Sequence, residues 1–196
     1  MSGTLTLQPM NLGEARKFVE LHHSHHHAPI GGLCAVGVAC AGRLVCVAIL
    51  SRPVARRLQA QGCVEVSRVA SDGTTEHAAS KAIGAIARAA IALGWRRLVS
   101  YTLLGEAGTS YRAAGWRVVM VGEGNQFQWN CSGRVRELPT QPGAKVRWEF
   151  GPEALPLNEE ADRAVREAAG RVALPARAER MPLFSSVEAA ATSGRA

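Results

Sequence analysis

Several things are missing from this 196-residue chain. No apolar run approaches the roughly 20 residues that a membrane-spanning helix needs, and no signal-peptide pattern opens the chain. The expectation is therefore a cytoplasmic protein with no membrane partner. None of the five cysteines (Cys34, Cys40, Cys46, Cys63, Cys131) stands in a C-x-x-C pair, and most fall inside apolar, strand-like runs. They read as small buried thiols in a reducing compartment rather than as disulfides or zinc ligands. The G-x-x-x-x-G-K-[ST] spacing is also absent, which excludes a P-loop. No internal repeat occurs.

What is present is a core-forming composition, 47% hydrophobic, in a chain long enough for one domain and a tail. The formal net charge of +7 is carried largely by arginine. Two readings stand: an anionic partner such as a phosphate-bearing cofactor or nucleic acid, or simply a basic, soluble surface.

Patterning divides the chain into short elements. "TLTLQP" reads as a strand. Asn11 then caps a helix, with Glu14 in capping-box position and Leu12, Ala15, Phe18 and Val19 on its apolar face. "LCAVGVAC" and "RLVCVAIL", joined at Ala41-Gly42, predict a hairpin of buried strands. "RPVARRLQAQG" is a short basic helix or turn. "CVEVSRVAS" predicts an alternating strand with Val64, Val66 and Val69 against Glu65, Ser67 and Arg68. A long alanine-rich helix follows and stops at Gly94. Then come the strand "RRLVSYTLL", a short helix ending at Gly115, the strand "WRVVMV", and the expected strands "FQWN" and "KVRWEF". From Pro152 the composition shifts to a charged helix capped by Asn158, then to an Ala/Arg/Ser-rich segment expected to be flexible.

Two stretches carry chemistry. "ELHHSHHHAPIGG" puts five histidines into six positions. It lies inside the chain, so it is not a terminal tag. Histidine is a proton acceptor near neutral pH and a metal ligand. His25 and His26 are candidates for a general base or substrate contact. His22 and His26 are i, i+4 apart, as are His23 and His27. If the helix continues, such a pair with Glu65 or Glu76 could hold a divalent metal. A plain solvated loop is the third reading. The second stretch is the loop from Asp72 to Ser80, between a strand and the long helix. There the first-turn N–H groups and the helix dipole suit a phosphate, and a turn of the common α/β kind with no ligand is the other reading.

The order of elements, with "EHAASKAIGAIARAAIALGWRRLVSYT" and "SYRAAGW", resembles the GNAT acyltransferases over roughly residues 4–150. The resemblance implies an α+β, three-layer α/β/α fold with a mixed central sheet of six to seven strands and flanking helices. It would occupy residues 1–150, with 151–196 as a charged helix and tail. It implies acetyl-CoA or another acyl-CoA as co-substrate. Val69, Ala70 and Ser71 would meet the pantetheine amides. Thr74, Thr75, His77, Ala78, Ala79, Ser80 and Lys81 would surround the pyrophosphate, with Thr102 also on the cofactor side. Ala78 and Ala79 stand where the family carries glycines. Tyr111 holds the place of a tyrosine that protonates the departing thiolate. Glu65 would face the acceptor cleft as a base, unless it is a solvated residue or a partner of Arg68. Arg68 has Glu65, Asp72 or a phosphate as candidate partners. Glu106 would orient the acceptor or stabilise a helix N-terminus. Trp116, Trp129 and Trp148 read as buried packing, with base stacking as the alternative.

"EVSRVASDGT", "YTLLGEAGTSYRAAGW" and the histidine run are further similar to a group of small GNAT-like proteins of phages and mobile elements. That group is distantly similar to Mom-type DNA-modifying proteins. Three functions follow from these resemblances: N-acyl transfer to a small-molecule or nucleobase amine, Mom-like base modification, or non-catalytic binding of nucleic acid.

Overall fold

The computed structural model describes residues 3–23, 28–29, 31–122 and 143–171. Seven strands form one mixed sheet among these residues, in the order β1-β2-β3-β4-β5-β7-β6. The strands are β1 (Leu5–Met10), β2 (Cys34–Cys40), β3 (Arg43–Ser51), β4 (Val64–Ser71), β5 (Leu98–Leu103), β6 (Arg117–Gly122) and β7 (Lys145–Phe150). The helices are α1 (Leu12–His22), α2 (Arg56–Ala60), α3 (Ala78–Ala92), α4 (Thr109–Ala113) and α5 (Glu159–Arg171). Every pairing is antiparallel except β4 with β5. The strand expected at residues 127–130, together with Trp129, Cys131 and the segment from 175 onward, lies outside the described residues.

Alternation along β3 sorts the sheet into two faces. Cys46, Ala48 and Leu50 pack with Ile83, Ile86, Ala87 and Ala90 of α3. Val47 and Ile49 pack with Ala15, Phe18 and Val19 of α1. Alanine dominates the buried stripe of α3, so that helix can lie close against the strands. It stops where Gly94 takes the left-handed φ of +96°. Asn11 and Glu14 form the capping box at α1, Glu14 N–H donating to Asn11 Oδ1 at 2.9 Å. Asn158 accepts from Ala161 N–H at 3.0 Å, capping α5 as expected. Ala161 and Val165 of α5 join the α3-side core. The described thiols, Cys34, Cys40, Cys46 and Cys63, are unbridged. Among the described residues no helix is long and apolar enough to cross a membrane.

The expected clean alternation in β4 needs correction. Val66 and Val69 are an odd number of residues apart, so in a regular strand they would face opposite sides. A register shift relieves this: Leu50 pairs with Val66 but Ile49 with Arg68, leaving Ser67 as the extra residue of a β-bulge. Beyond the bulge Val69 packs with the α3-side core and Ala70 with the α1-side core.

Candidate active site

The parallel ladder between β4 and β5 is two residues long, Val64 with Leu98 and Glu65 with Val99. β4 remains paired with β3 up to Ser71, and β5 with β7 up to Leu103. The sheet therefore opens as a V between β4 and β5 above Glu65 and Val99.

Tyr111 reaches this opening from α4. Its hydroxyl lies 2.6 Å from Ser100 Oγ, and Ser100 Oγ donates to the Val66 carbonyl at 2.8 Å. The ring is buried, stacked on Trp148 at 5.5 Å and set edge-on to Trp116 at 5.5 Å. Burial pushes the phenol pKa up to about 12, against the Ser100 hydrogen bond, and the charges of Glu106 and Glu65 push the same way. Tyr111 is thus held protonated, with both carboxylates close enough to act on it. Trp148 donates its indole N–H to Thr102 Oγ1 at 3.0 Å.

Glu65 occupies the other side of the sheet, in the register position opposite Val99, which packs with Leu58 and Cys63. Burial raises its pKa, opposed by the Val54 N–H and by the charges of Arg68 and Lys145. A carboxyl raised in this way is a better proton acceptor near neutral pH than an exposed one. Arg68 feels both Glu65 and Glu20. Asp72 is not its partner, because Arg43 takes that carboxylate at 3.1 Å. Glu20 also accepts the N–H of Ala28 at 2.7 Å, which ties Ala28 to α1.

The run itself departs from one expectation. α1 ends at His22, and His23 is already extended, with φ −88° and ψ 118°. The continued helix that would put His22 and His26 on one face is therefore not formed. His22 instead lies 4.3 Å from the Phe18 ring. His25 and His26 lie outside the described residues, among which no group of three His, Cys, Asp or Glu side chains could hold a metal.

The loop after β4 is built from its own side chains. Asp72 Oδ1 accepts from the Thr74 N–H and hydroxyl at 2.9 and 2.8 Å, and Arg43 donates to Thr74 Oγ1 at 2.8 Å. Thr75 Oγ1 lies 3.3 Å from Thr74 Oγ1. His77 precedes α3 in the left-handed conformation, φ 62°. That is uncommon for a non-glycine residue and turns the chain sharply into the helix. The first-turn N–H groups of Ala78, Ala79 and Ser80 thus stand at the head of a 15-residue helix, where the dipole favours an anion. A groove of about 320 Å³ starts there, lined by His77, Ser80, Lys81, Gly84, Arg88 and Ala113 among others. Lys81 Nζ is 2.6 Å from the Leu5 carbonyl.

No protein-family model matches the chain, and no curated protein sequence matches it. Solved structures do match in shape. An IAA acetyltransferase from Bacillus cereus superposes with a TM-score of 0.55 at 12% identity, over 76% of this chain and 99% of that one. An acetyltransferase from Bacillus subtilis in complex with CoA gives 0.51 at 14% identity, over 76% and 99%. A Drosophila melanogaster polyamine N-acetyltransferase gives 0.52 at 10% identity, over 76% and 100%. The fold is that of the GNAT acetyltransferases.

Within that fold, Tyr111 lies at the V on the α4 side and Glu65 on the other side of the sheet, with the charges of Glu65 and Glu106 both acting on the Tyr111 phenol, and Thr74 to Lys81 lead into and open α3. Val69, Ala70 and Ser71 lie on the part of β4 that has no ladder to β5. Glu106 caps the turn after β5, accepting the Leu103 N–H at 2.9 Å, rather than sitting within α4. Trp116 and Trp148 are buried, as expected. Sequence reasoning missed Ser100. Its signal was available: a lone serine at an inward position of a strand whose neighbour Leu98 is core, in register to meet Tyr111 eleven residues on.

Proposed function

We propose that the protein is an acyl-CoA-dependent N-acyltransferase that moves an acetyl group directly from the thioester to an amine. The observation that carries this reading is the V between β4 and β5. It holds a protonated tyrosine hydroxyl on the α4 side and the half-buried Glu65 carboxyl on the other.

The thioester substrate fits the groove along α3. Its pyrophosphate would lie on the N–H groups of Ala78, Ala79 and Ser80, with Thr74, Thr75 and His77 around it and Lys81 and Arg88 supplying positive charge. Ala78 and Ala79 carry methyl groups that tilt toward the helix N-terminus, so the pyrophosphate would meet these amides past two small side chains rather than past bare glycines. Its pantetheine arm would run along Val69, Ala70 and Ser71, with Thr102 on the opposite strand. The amine then approaches from the Glu65 side, loses a proton to Glu65, and its nitrogen bonds to the thioester carbon. The C–S bond breaks and the thiolate takes the Tyr111 proton. His25, His26 and Glu106 border the acceptor's path in this reading.

Saturating acetyl-CoA tests it directly. A ligand that binds only the folded state at about 100 times its Kd stabilises by about 2.7 kcal/mol, a rise of about 5–10 °C in melting temperature for a chain of this size. An unchanged melting temperature overturns the reading. The +7 charge is the observation that favours a nucleobase amine as one acceptor class. Modified nucleosides in DNA from expressing cells would support that class. Salt-sensitive DNA binding without acetyl-CoA stabilisation would instead support a non-catalytic role.

A further inference from the structure

We propose that Ser100 is a positioning residue for Tyr111, its hydroxyl working in two settings: turned to the Val66 carbonyl at rest, and turned to the Tyr111 oxygen when that oxygen gives up its proton. The role in turnover rests on the acyl-transfer reading; the coupling of the two hydroxyls does not.

The argument starts from a count of protons. A serine hydroxyl has one proton to donate and lone pairs to accept with. Ser100 Oγ lies 2.8 Å from the Val66 carbonyl and 2.6 Å from Tyr111 OH, and its side chain is 1% exposed. A carbonyl can only accept, so the Ser100 proton goes to Val66. Tyr111 must then be the donor in the Ser100–Tyr111 bond. The opposite arrangement leaves the Val66 carbonyl without its donor at a point where no ladder joins β4 to β5. At rest, therefore, the Tyr111 proton is directed at Ser100.

Transfer of that proton to a leaving thiolate creates a phenoxide in a buried pocket. Trp148 and Trp116 flank the ring, and neither indole N–H donates to the oxygen: Trp148 N–H is committed to Thr102, and Trp116 N–H is buried with no hydrogen-bond partner among the described residues. The charged groups that act on the phenol are Glu65 from β4 and Glu106 from the turn before α4, and both disfavour the anion. Ser100 is the neighbouring donor. A rotation of about 120° about its Cβ–Oγ bond, between staggered wells, moves its proton from Val66 to the phenoxide without displacing a heavy atom. The Val66 carbonyl is then released toward the V, where an N–H of the bound substrate can take it. When Tyr111 is reprotonated from solvent, Ser100 turns back.

The chain has two tyrosines, Tyr101 and Tyr111. In a Tyr101→Phe background, biosynthetic 3-fluorotyrosine makes Tyr111 the sole titrating phenol, with a hydroxyl more acidic than that of the native side chain. Ultraviolet titration of this protein is compared with its Ser100→Ala and Ser100→Thr derivatives. The expected result is a midpoint raised by at least half a unit in Ser100→Ala and restored in Ser100→Thr. In the otherwise unmodified protein, Ser100→Ala should lower kcat about tenfold with KM for acetyl-CoA unchanged, and Ser100→Thr should recover it. A folded Ser100→Ala whose phenol midpoint is unmoved overturns the coupling. A raised midpoint with kcat intact overturns the role in turnover. If Ser100→Ala fails to fold, Ser100→Cys, a weaker donor, gives the same comparison. Wild type that neither binds nor turns over acetyl-CoA overturns the acyl-transfer reading, and the titration still decides the coupling.

Discussion

Gly108 lies directly against the indole of Trp148, so that a Cβ at this position would run into Cζ2 with Cη2 at 2.6 Å. Gly108 also has a left-handed φ of 61°, and it precedes the first residue of α4. Both facts exclude a side chain. Trp148 is the ring on which Tyr111 stacks, so the glycine sets the height of Tyr111 above the V. Gly108→Ala combines left-handed strain with overpacking and is expected to cost about 2–4 kcal/mol. Thermal unfolding measures it. A variant as stable as wild type would mean that α4 can shift without penalty.

Glu65 links stability to function with opposite signs. Its folded-state pKa is raised, so the protonated form is favoured by the fold. Its contribution is fully present below the unfolded value, about 4.3, and is lost as pH rises through the folded value. Glu65→Gln removes the buried charge. It should melt no lower than wild type at pH 8, with the difference vanishing near pH 4. The same variant should lose acyl transfer by about 10²-fold or more. Melting curves and initial rates across that pH range check both. A variant that is less stable at pH 8 than wild type would make Glu65 a structural carboxylate.

Much of this arrangement was legible in the residues. The capping box at Asn11 and Glu14, the hairpin at Ala41-Gly42, the stop at Gly94 and the order of elements are local or periodic signals, and each has its counterpart in the fold. What was not legible depends on contacts distant in sequence. The Ser67 bulge arises from the pairing with β3, which no window of β4 contains. The partner of Asp72 is Arg43, 29 positions upstream by residue number. The left-handed His77 is not legible from its residue type: histidine is enriched at positive φ, but the great majority of histidines are not there, so the residue alone does not mark the turn. α5 reads as a charged amphipathic helix, and Ala161 and Val165 form its narrow apolar seam against the core, but the sequence does not say which surface that seam covers.

Arg88 borders the groove at the head of α3 and is exposed. Its guanidinium is a long-range attraction for a polyphosphate rather than a packed contact. Arg88→Glu reverses one charge at a solvent-facing site. It is expected to weaken acetyl-CoA binding about tenfold at low salt, less at high salt, with the melting temperature of the ligand-free protein unchanged. Calorimetric titration at two ionic strengths measures it. An unchanged Kd would move the nucleotide out of this groove.

Acid lability should trace to two carboxylates, Glu149 of β7 and Asp162 of α5. Glu149 is fully buried and receives Arg97 at 2.8 and 2.7 Å, Arg147 at 2.8 Å and the Leu155 N–H at 2.9 Å. Burial alone would raise its pKa, but Arg97 and the Leu155 N–H, aided by Arg147, hold it below the ordinary carboxylate range. Asp162 is likewise lowered, burial being outweighed by Arg166 and Arg112, and the Arg112 pair joins α5 to the helix that carries Tyr111. A depressed carboxylate contributes stability above its unfolded pKa, about 4, and loses it as pH falls through the folded value. Wild type should therefore lose stability steeply below about pH 4. Asp162→Asn should flatten part of that limb and cost about 1–2 kcal/mol at pH 7, since the site is partly solvated. Glu149→Gln strands two arginines in the interior and should cost about 3–5 kcal/mol at pH 7. Denaturant unfolding at pH 7 and pH 3.5 separates the cases. A Glu149→Gln protein as stable as wild type at pH 7 would show that the two arginines find other partners, and the acid limb would then need a different carboxylate.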